Sequence, residues 1–590
     1  MYNQKYAIYQ VFTRLFGNKN TQPIPWGTIE QNGVGKFSDF TDKALSEIRK
    51  LGMTHIWYTG VPHHAVINDY KHIGISDDHP SVVKGRAGSP YAVKDYYSVN
   101  PDLADHPEQG VEEFEALIKR SHNNGLKVII DIVPNHVARH YIGLNNPEGV
   151  SDFGTHDDTT QAYHKDNNFY YIPNSTFELP EIEPAFTPLG GESHPNLRSP
   201  FIEVPAKWTG NGSRLAKPDF DDWYETVKIN YGVRPDGTKD FPELPKNYAQ
   251  RDYRDHYHFW ESVTVPNSWV KFRDIALFWL AKGVDGFRYD MAEMVPVEFW
   301  SYLNASIKMH TPEALLMAEV YQPDLYRDYI HLGKMDYLYD KVDLYDGLKA
   351  IMLGKASTAI IPEIQHRLMD IEHHMLHFLD NHDEQRIASP EFVGNPHVAK
   401  PAMLVSALLS SSPTMIYFGQ EVGEPGADNA GFGQPSRTSI FDYIGVPQHQ
   451  KWMNHGAFDG GLLNDSEKQL RCFYRKVMNF SLAHSSMTGD YRDLHQSNNL
   501  SDSVYAFLRY NDQELTIVAV NFSQHATESI QIEISHDVIQ KLKRVDGNYL
   551  LDEQIEGIAQ QVLNIENGVG RFNVELKPLA SLAWVLSLHG

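Results

Sequence analysis

Apolar positions along the chain follow two alternating rhythms. Short apolar or β-branched runs at 7–12, 55–61, 127–133, 286–290, 315–321, 337–340, 375–379 and 414–418 have the length and composition of strands. Between most of them the spacing lengthens to that of amphipathic helices, as at 41–51, 110–123, 269–282 and 401–409. Repeated strand-then-helix units imply parallel strands. Eight of them predict a closed (β/α)8 TIM barrel, whose site forms at the C-terminal ends of the strands.

Two stretches break the rhythm. The segment after the third strand is rich in Pro, Gly, Asn and Asp, as in Asn145-Asn146-Pro147 and Thr209-Gly210-Asn211-Gly212. It is too long for a structureless loop in a compact domain, and it predicts an inserted lobe over the barrel mouth. Near the C-terminus, alternating runs at 503–509, 514–521, 529–534 and 581–586 are separated by turn residues such as Asn511-Asp512. They predict an antiparallel β-sandwich domain. The expected division is therefore 1–136 with 255–485 for the barrel, 137–254 for the insertion and 486–590 for the sandwich. A chain of 590 residues exceeds a single core and suits this plan.

Composition narrows the partners. There are 52 Lys+Arg against 76 Asp+Glu, a net charge of −24, which argues against nucleic acid or an anionic membrane and is compatible with a neutral sugar. The lone Cys472 excludes an intrachain disulfide and reads as a small core residue of a helix rather than a nucleophile. Residues 1–16 lack the apolar core of a signal peptide, and no run is long enough to span a bilayer. The chain as given reads as soluble and cytoplasmic, or as periplasmic or secreted if a signal peptide has been removed.

Acidic residues stand where the apolar runs stop. The third run leads through Asp131 to Asn135-His136, the fourth ends Arg288-Tyr289-Asp290, the fifth passes Glu319 and the seventh leads to Asn381-His382-Asp383. Each alone is unremarkable, because an Asp at a strand end is usually a cap or turn former. Together they set four polar clusters at the ends of four strands around one mouth. Paired carboxylates suit glycoside cleavage, one attacking the anomeric carbon and the other protonating the leaving oxygen. Alternation turns Arg288 and Asp290 to the same face, so Arg288 can hold Asp290 ionised. Glu319 on the next strand is then the natural proton donor.

These four segments resemble the four signature regions of the α-amylase family, glycoside hydrolase family 13. The resemblance extends over barrel, insertion and C-terminal domain. It implies a retaining α-glycosidase acting on starch, glycogen or maltooligosaccharides, with Asp290 as nucleophile, Glu319 as general acid and base, and Asp383 gripping the distorted sugar. It also implies that His136 and His382 contact that sugar, that Arg288 orients Asp290 and that Tyr91, in Ser89-Pro90-Tyr91, stacks on the ring. The segment Tyr417-Phe418-Gly419-Gln420-Glu421 matches the family's eighth strand end. No cofactor is implied for the chemistry. Asn135 resembles the family's calcium-ligating asparagine, with the backbone carbonyl of Met294 as a partner, although a purely structural hydrogen bond serves as well. One departure stands out: Glu293 and Met294 replace the Lys-His pair that many α-amylases carry just after the nucleophile.

Rival readings make different demands. A metal-dependent barrel hydrolase needs a His pair closing an early strand, whereas His256-Tyr257-His258 lies in a polar stretch far from one. A non-catalytic glucan-binding protein has no use for three intact carboxylates. A glucanotransferase shares the chemistry and differs in what resolves the intermediate, and the sequence favours hydrolysis without deciding it.

Overall fold

The protein is described from a computed structural model that covers residues 5–587. Eight strands form the barrel: β1 (Ala7–Phe12), β2 (His55–Thr59), β3 (Lys127–Ile132), β4 (Gly286–Tyr289), β5 (Leu315–Ala318), β6 (Tyr337–Tyr339), β7 (Met375–Phe378) and β8 (Thr414–Tyr417). All pair in parallel in sequence order, and β8 closes on β1 through Ala7 opposite Thr414. Seven of the eight stop one to three residues short of the apolar run that predicts them. The residues left over include Asp290 and Glu319, so the carboxylates stand just beyond the ladder and face the mouth.

Alternation gives each strand two apolar faces. Inward residues such as Ile8, Trp57, Ile129, Met317, Tyr339, Phe378 and Met415 fill the barrel. Outward ones such as Ile56, Ile130, Phe287, Leu316 and Ile416 pack with helical residues including Phe114, Trp279, Leu303 and Leu404. Two helical predictions, 41–51 and 110–123, become Asp42–Lys50 and Gly110–Asn123; the other two become Asn267–Ala281 and Lys400–Leu408. After β8 the chain turns at Gly419, whose φ of +88° suits a residue without Cβ.

Between β3 and the Asn267–Ala281 helix, the chain makes little regular structure. His136–Ala138 pairs antiparallel with Thr226–Lys228, and Tyr171–Ile172 with Ala206–Lys207. A small apolar cluster of Phe177, Ala206 and Tyr224 seats this region on Val82 from the loop after β2. Cys472 is half-buried on the Asp465–Ala483 helix rather than in the core, and its sulfur accepts from Arg475. Among the described residues no helix is long and apolar enough to cross a membrane.

The C-terminal region is antiparallel, as expected, with twice the strands the sequence pattern suggests: β9 (Asp490–Asp493), β10 (Val504–Tyr510), β11 (Glu514–Asn521), β12 (Glu528–Ile534), β13 (Gly547–Glu553), β14 (Gln561–Glu566), β15 (Val569–Leu576) and β16 (Ser581–Ser587). Their order is β9-β10-β11-β16-β13-β14-β15-β12. The first residues of β13 pair with β14 and its last two with β16, so one sheet folds over at β13. The two halves share a core that includes Leu508, Ile517, Ile532, Leu563 and Phe572. The opposite face of β10, with Tyr505 and Phe507, joins the barrel's core.

Arg509 anchors that junction. Fully buried, it donates to the carbonyls of Leu409 at 3.1 Å and Met487 at 2.7 Å. Arg509→Met leaves both carbonyls without a donor, at about 3 kcal/mol. It is expected to lower the melting temperature by several degrees while substrate affinity stays unchanged, as read by calorimetry beside steady-state kinetics.

Candidate active site

Strand register sets the floor of the site. Arg288 lies opposite Asp131 on β3 and Met317 on β5, and all three point into the barrel. Arg288 is completely buried. A buried cation is costly unless it is paired, and this one is shared. Nη1 donates to Asp290 Oδ1 at 2.9 Å and Asp131 Oδ1 at 3.2 Å, Nη2 to Glu319 Oε2 at 3.0 Å, and Nε to the Tyr339 hydroxyl at 3.2 Å. Trp57, Tyr91 and Tyr339 present their rings to it within 6 Å. Trp57 Nε1 donates to the second oxygen of Asp131 at 2.8 Å.

The residue after Asp290 is strained in a way that serves the site. Met291 has φ +45°, a left-handed conformation that costs a non-glycine residue about 1–2 kcal/mol. It turns the Met291 N–H onto Glu319 Oε2 at 2.9 Å. Asp383 is set by a different device: the Asn381 side chain accepts from the backbone N–H of Asp383 and of Glu384, both at 2.9 Å, in an Asx turn.

Both histidines are buried and held neutral. Burial pushes His136 down to about 3 and takes His382 well below the usual imidazole range. The Gln10 amide N–H donates to His382 Nδ1 at 2.8 Å, which leaves the proton on Nε2, 2.5 Å from the Tyr91 hydroxyl and 3.1 Å from Asp383 Oδ2. The Tyr91 and His382 rings stack with centroids 5.3 Å apart. Asn135 Nδ2 donates to His136 Nδ1 at 3.0 Å, and the His136 ring packs against Trp223.

The acids crowd together, and among the described residues Arg288 is the only cation in an ion pair with Asp131, Asp290 or Glu319. Burial, then the charges of Glu319, Asp383 and Asp131, raise Asp290 against the pull of Arg288. Burial likewise raises Asp383, and takes Asp131 up to about 6. Arg288 alone therefore does not leave Asp290 at an ordinary carboxylate value.

Asp290, Glu319, Asp383, Tyr91 and His136 line one cavity of about 380 Å³, together with Lys84, Ser89, Trp223, Glu225, Tyr321 and Arg437. Of the residues marked by sequence, Asn135 sits just behind it. Its carbonyl oxygen accepts from Lys228 Nζ, which also donates to the Met294 carbonyl at 3.3 Å. An ammonium thus stands between the two oxygens named for calcium, and the residues present do not fit that ion. Glu293 does not reach into the cavity as a substitute for the missing lysine. Its carboxylate accepts from the backbone N–H of Tyr321 at 2.8 Å and Gln322 at 3.0 Å, tying the loop after β4 to the loop after β5.

The His256/His258 pair makes no metal site. His256 is buried against Ser301 and the Tyr248 carbonyl, while His258 is exposed beside Glu261. Among the described residues no group of three or more His, Cys, Asp or Glu side chains is arranged to hold a metal. Sequence reasoning overlooked Gln10, Trp57, Tyr339 and Lys228, and gave Asp131 no role of its own. A lone amide in the apolar run of β1 was a signal for Gln10; nothing local marks Lys228.

Comparison with known proteins places the family. The family profile described as "Alpha amylase, catalytic domain" matches residues 10–178 and 258–459. Neopullulanase 2 of Thermoactinomyces vulgaris is 21% identical over 547 residues, 89% of this chain and 71% of that protein. A cyclomaltodextrinase of a Bacillus species is 20% identical over 548 residues, 87% and 72% of the two chains. Among solved structures, the α-amylase from H. orenii superposes with a TM-score of 0.59 at 19% identity, covering 100% of both chains. With the profile covering most of the barrel, the chain belongs to the α-amylase family of glycoside hydrolases.

Proposed function

We propose that this enzyme hydrolyses α-glucosidic bonds of maltooligosaccharides and related glucans with retention of anomeric configuration. The carrying observation is that one guanidinium bonds both Asp290 and Glu319. Two carboxylates gripped by a single fork stand side by side, which suits the roughly 5–5.5 Å spacing of retaining pairs better than the wider gap that admits a water. The relatives named neopullulanase and cyclomaltodextrinase support an α-glucan as the substrate class.

In this reading Asp290 Oδ attacks the anomeric carbon as its bond to the leaving oxygen breaks, and the Glu319 proton passes to that oxygen. Glu319, now a carboxylate, takes a proton from water. The water oxygen attacks the same carbon and releases Asp290. Asp383 holds sugar hydroxyls, Tyr91 covers the ring, His136 lines the pocket beside it, and His382 fixes Tyr91 and Asp383 from below. Arg288 keeps the two carboxylates in place through both steps.

Asp290→Ala and Glu319→Gln are each expected to lower turnover of maltotriose by about 10²–10⁴-fold or more without unfolding the protein. Proton NMR of the first-formed product should show the α anomer, and a β anomer would end the retaining assignment. Products longer than the substrate would make the chain a glucanotransferase.

Arg288→Lys keeps the charge and loses the planar fork, so one nitrogen cannot serve Asp290, Asp131 and Glu319 together. Turnover is expected to fall by about 100-fold or more, as for a misplacement of roughly 1 Å. Kinetics within threefold of the parent would contradict its role.

Raised carboxylates also move the pH profile. Asp131 protonates at about 6, and Asp290 above the ordinary carboxylate range. The nucleophile must be ionised, so the acid limb of kcat/KM is expected in this window, with activity falling as pH drops through it. An acid limb near the ordinary carboxylate value of about 4 would count against the raised carboxylates.

A further inference from the structure

The cation behind the active site has a definite place in the topology. In the antiparallel two-stranded ladder formed by His136–Ala138 and Thr226–Lys228, Lys228 lies directly opposite His136. From there its ammonium donates to Asn135 Oδ1, at the end of β3, and to the Met294 carbonyl, in the loop after β4. We infer that Lys228 is a built-in cation: it joins the β3 and β4 loops as a divalent ion would, makes that junction independent of calcium, and positions His136 through Asn135.

Donor chemistry supports each part. Calcium takes six to eight oxygens, several of them carboxylate. Here two neutral oxygens share an ammonium, which among the described residues forms no ion pair with a carboxylate, and a second cation at the same point would be repelled. The ammonium can only donate, so it fixes Asn135 Oδ1. The Gly210 carbonyl can only accept, so it fixes Asn135 Nδ2, at 2.8 Å. With both ends of the amide fixed, Nδ2 presents its second hydrogen to His136 Nδ1. That places the imidazole proton on Nε2, where His136 also bonds the Tyr91 backbone. Lys228 is thus a positioning residue acting on a site-lining histidine from behind.

The positioning half rests on the proposed hydrolysis; the cation half does not. The test uses the full chain, with calcium and a chelator as probes. The parent protein is expected to keep its melting temperature and its activity in excess chelator, and to show no calcium binding by titration calorimetry. Lys228→Met is expected to lower kcat/KM for maltotriose by about tenfold or more and to stay unresponsive to calcium. Lys228→Asp supplies a carboxylate beside the two oxygens, and Lys228 and Met294 border a cavity of about 690 Å³ that gives an ion access. Calcium is expected to raise its melting temperature and restore part of its activity, a response that a merely structural lysine would not create. A parent protein that binds calcium, or melts several degrees lower in chelator, overturns the inference even if the variants fail to fold. So does Lys228→Met with full activity. If the parent cleaves no α-glucan, the hydrolase reading falls, while the melting and binding measurements still decide the cation.

Discussion

One buried guanidinium organises this active site. Arg288 sits in the middle of a barrel where water cannot solvate it, and such a charge is tolerated only with partners. Its partners come from three strands and arrive by register. Asp131 is its cross-strand neighbour on β3, Asp290 lies two residues further along its own strand, and Glu319 follows the adjacent β5. Closing the barrel therefore assembles the carboxylates without any loop having to be flexible. The aromatic rings of Trp57, Tyr91 and Tyr339 supply the remaining surroundings, apolar enough to exclude water and electron-rich enough to favour the cation.

Around that core, a second tier of groups converts position into protonation state. Gln10 and Asn135 each present an amide N–H to one ring nitrogen of a histidine, so His382 and His136 carry their proton on Nε2. Burial keeps both rings uncharged. An imidazolium would compete with Arg288 for the same carboxylates. Met291 accepts backbone strain for a similar end, fixing one oxygen of Glu319.

The barrel and its acids were legible because both leave short-range marks. Eight apolar runs of strand length name the staves, and a carboxylate cannot continue such a run, so the point where each stops marks the mouth. The insertion and the second half of the C-terminal sheet left weaker marks. β13 to β15 are exposed along one side, and their alternation of charged with apolar residues resembles surface loop as much as strand. The geometry at Asn135 was illegible for a different reason. The partner that decides it, Lys228, lies 93 residues away and arrives through a strand register that no local pattern encodes.

The departure at Glu293 and Met294 acquires a physical meaning from the same contacts. A backbone carbonyl is indifferent to the side chain that carries it, so Met294 still offers the oxygen that Lys228 needs. Glu293 cannot act on a sugar as a lysine would, and its charge is spent on two backbone N–H groups of the loop after β5. That loop carries Tyr321, which lines the cavity and hydrogen-bonds Glu319. An aromatic ring beside Glu319 thus stands on a loop that Glu293 holds still. The positive charge that this pair of positions lost on one side of the β4 loop is present on the other, at Lys228, where it holds the scaffold instead of the substrate.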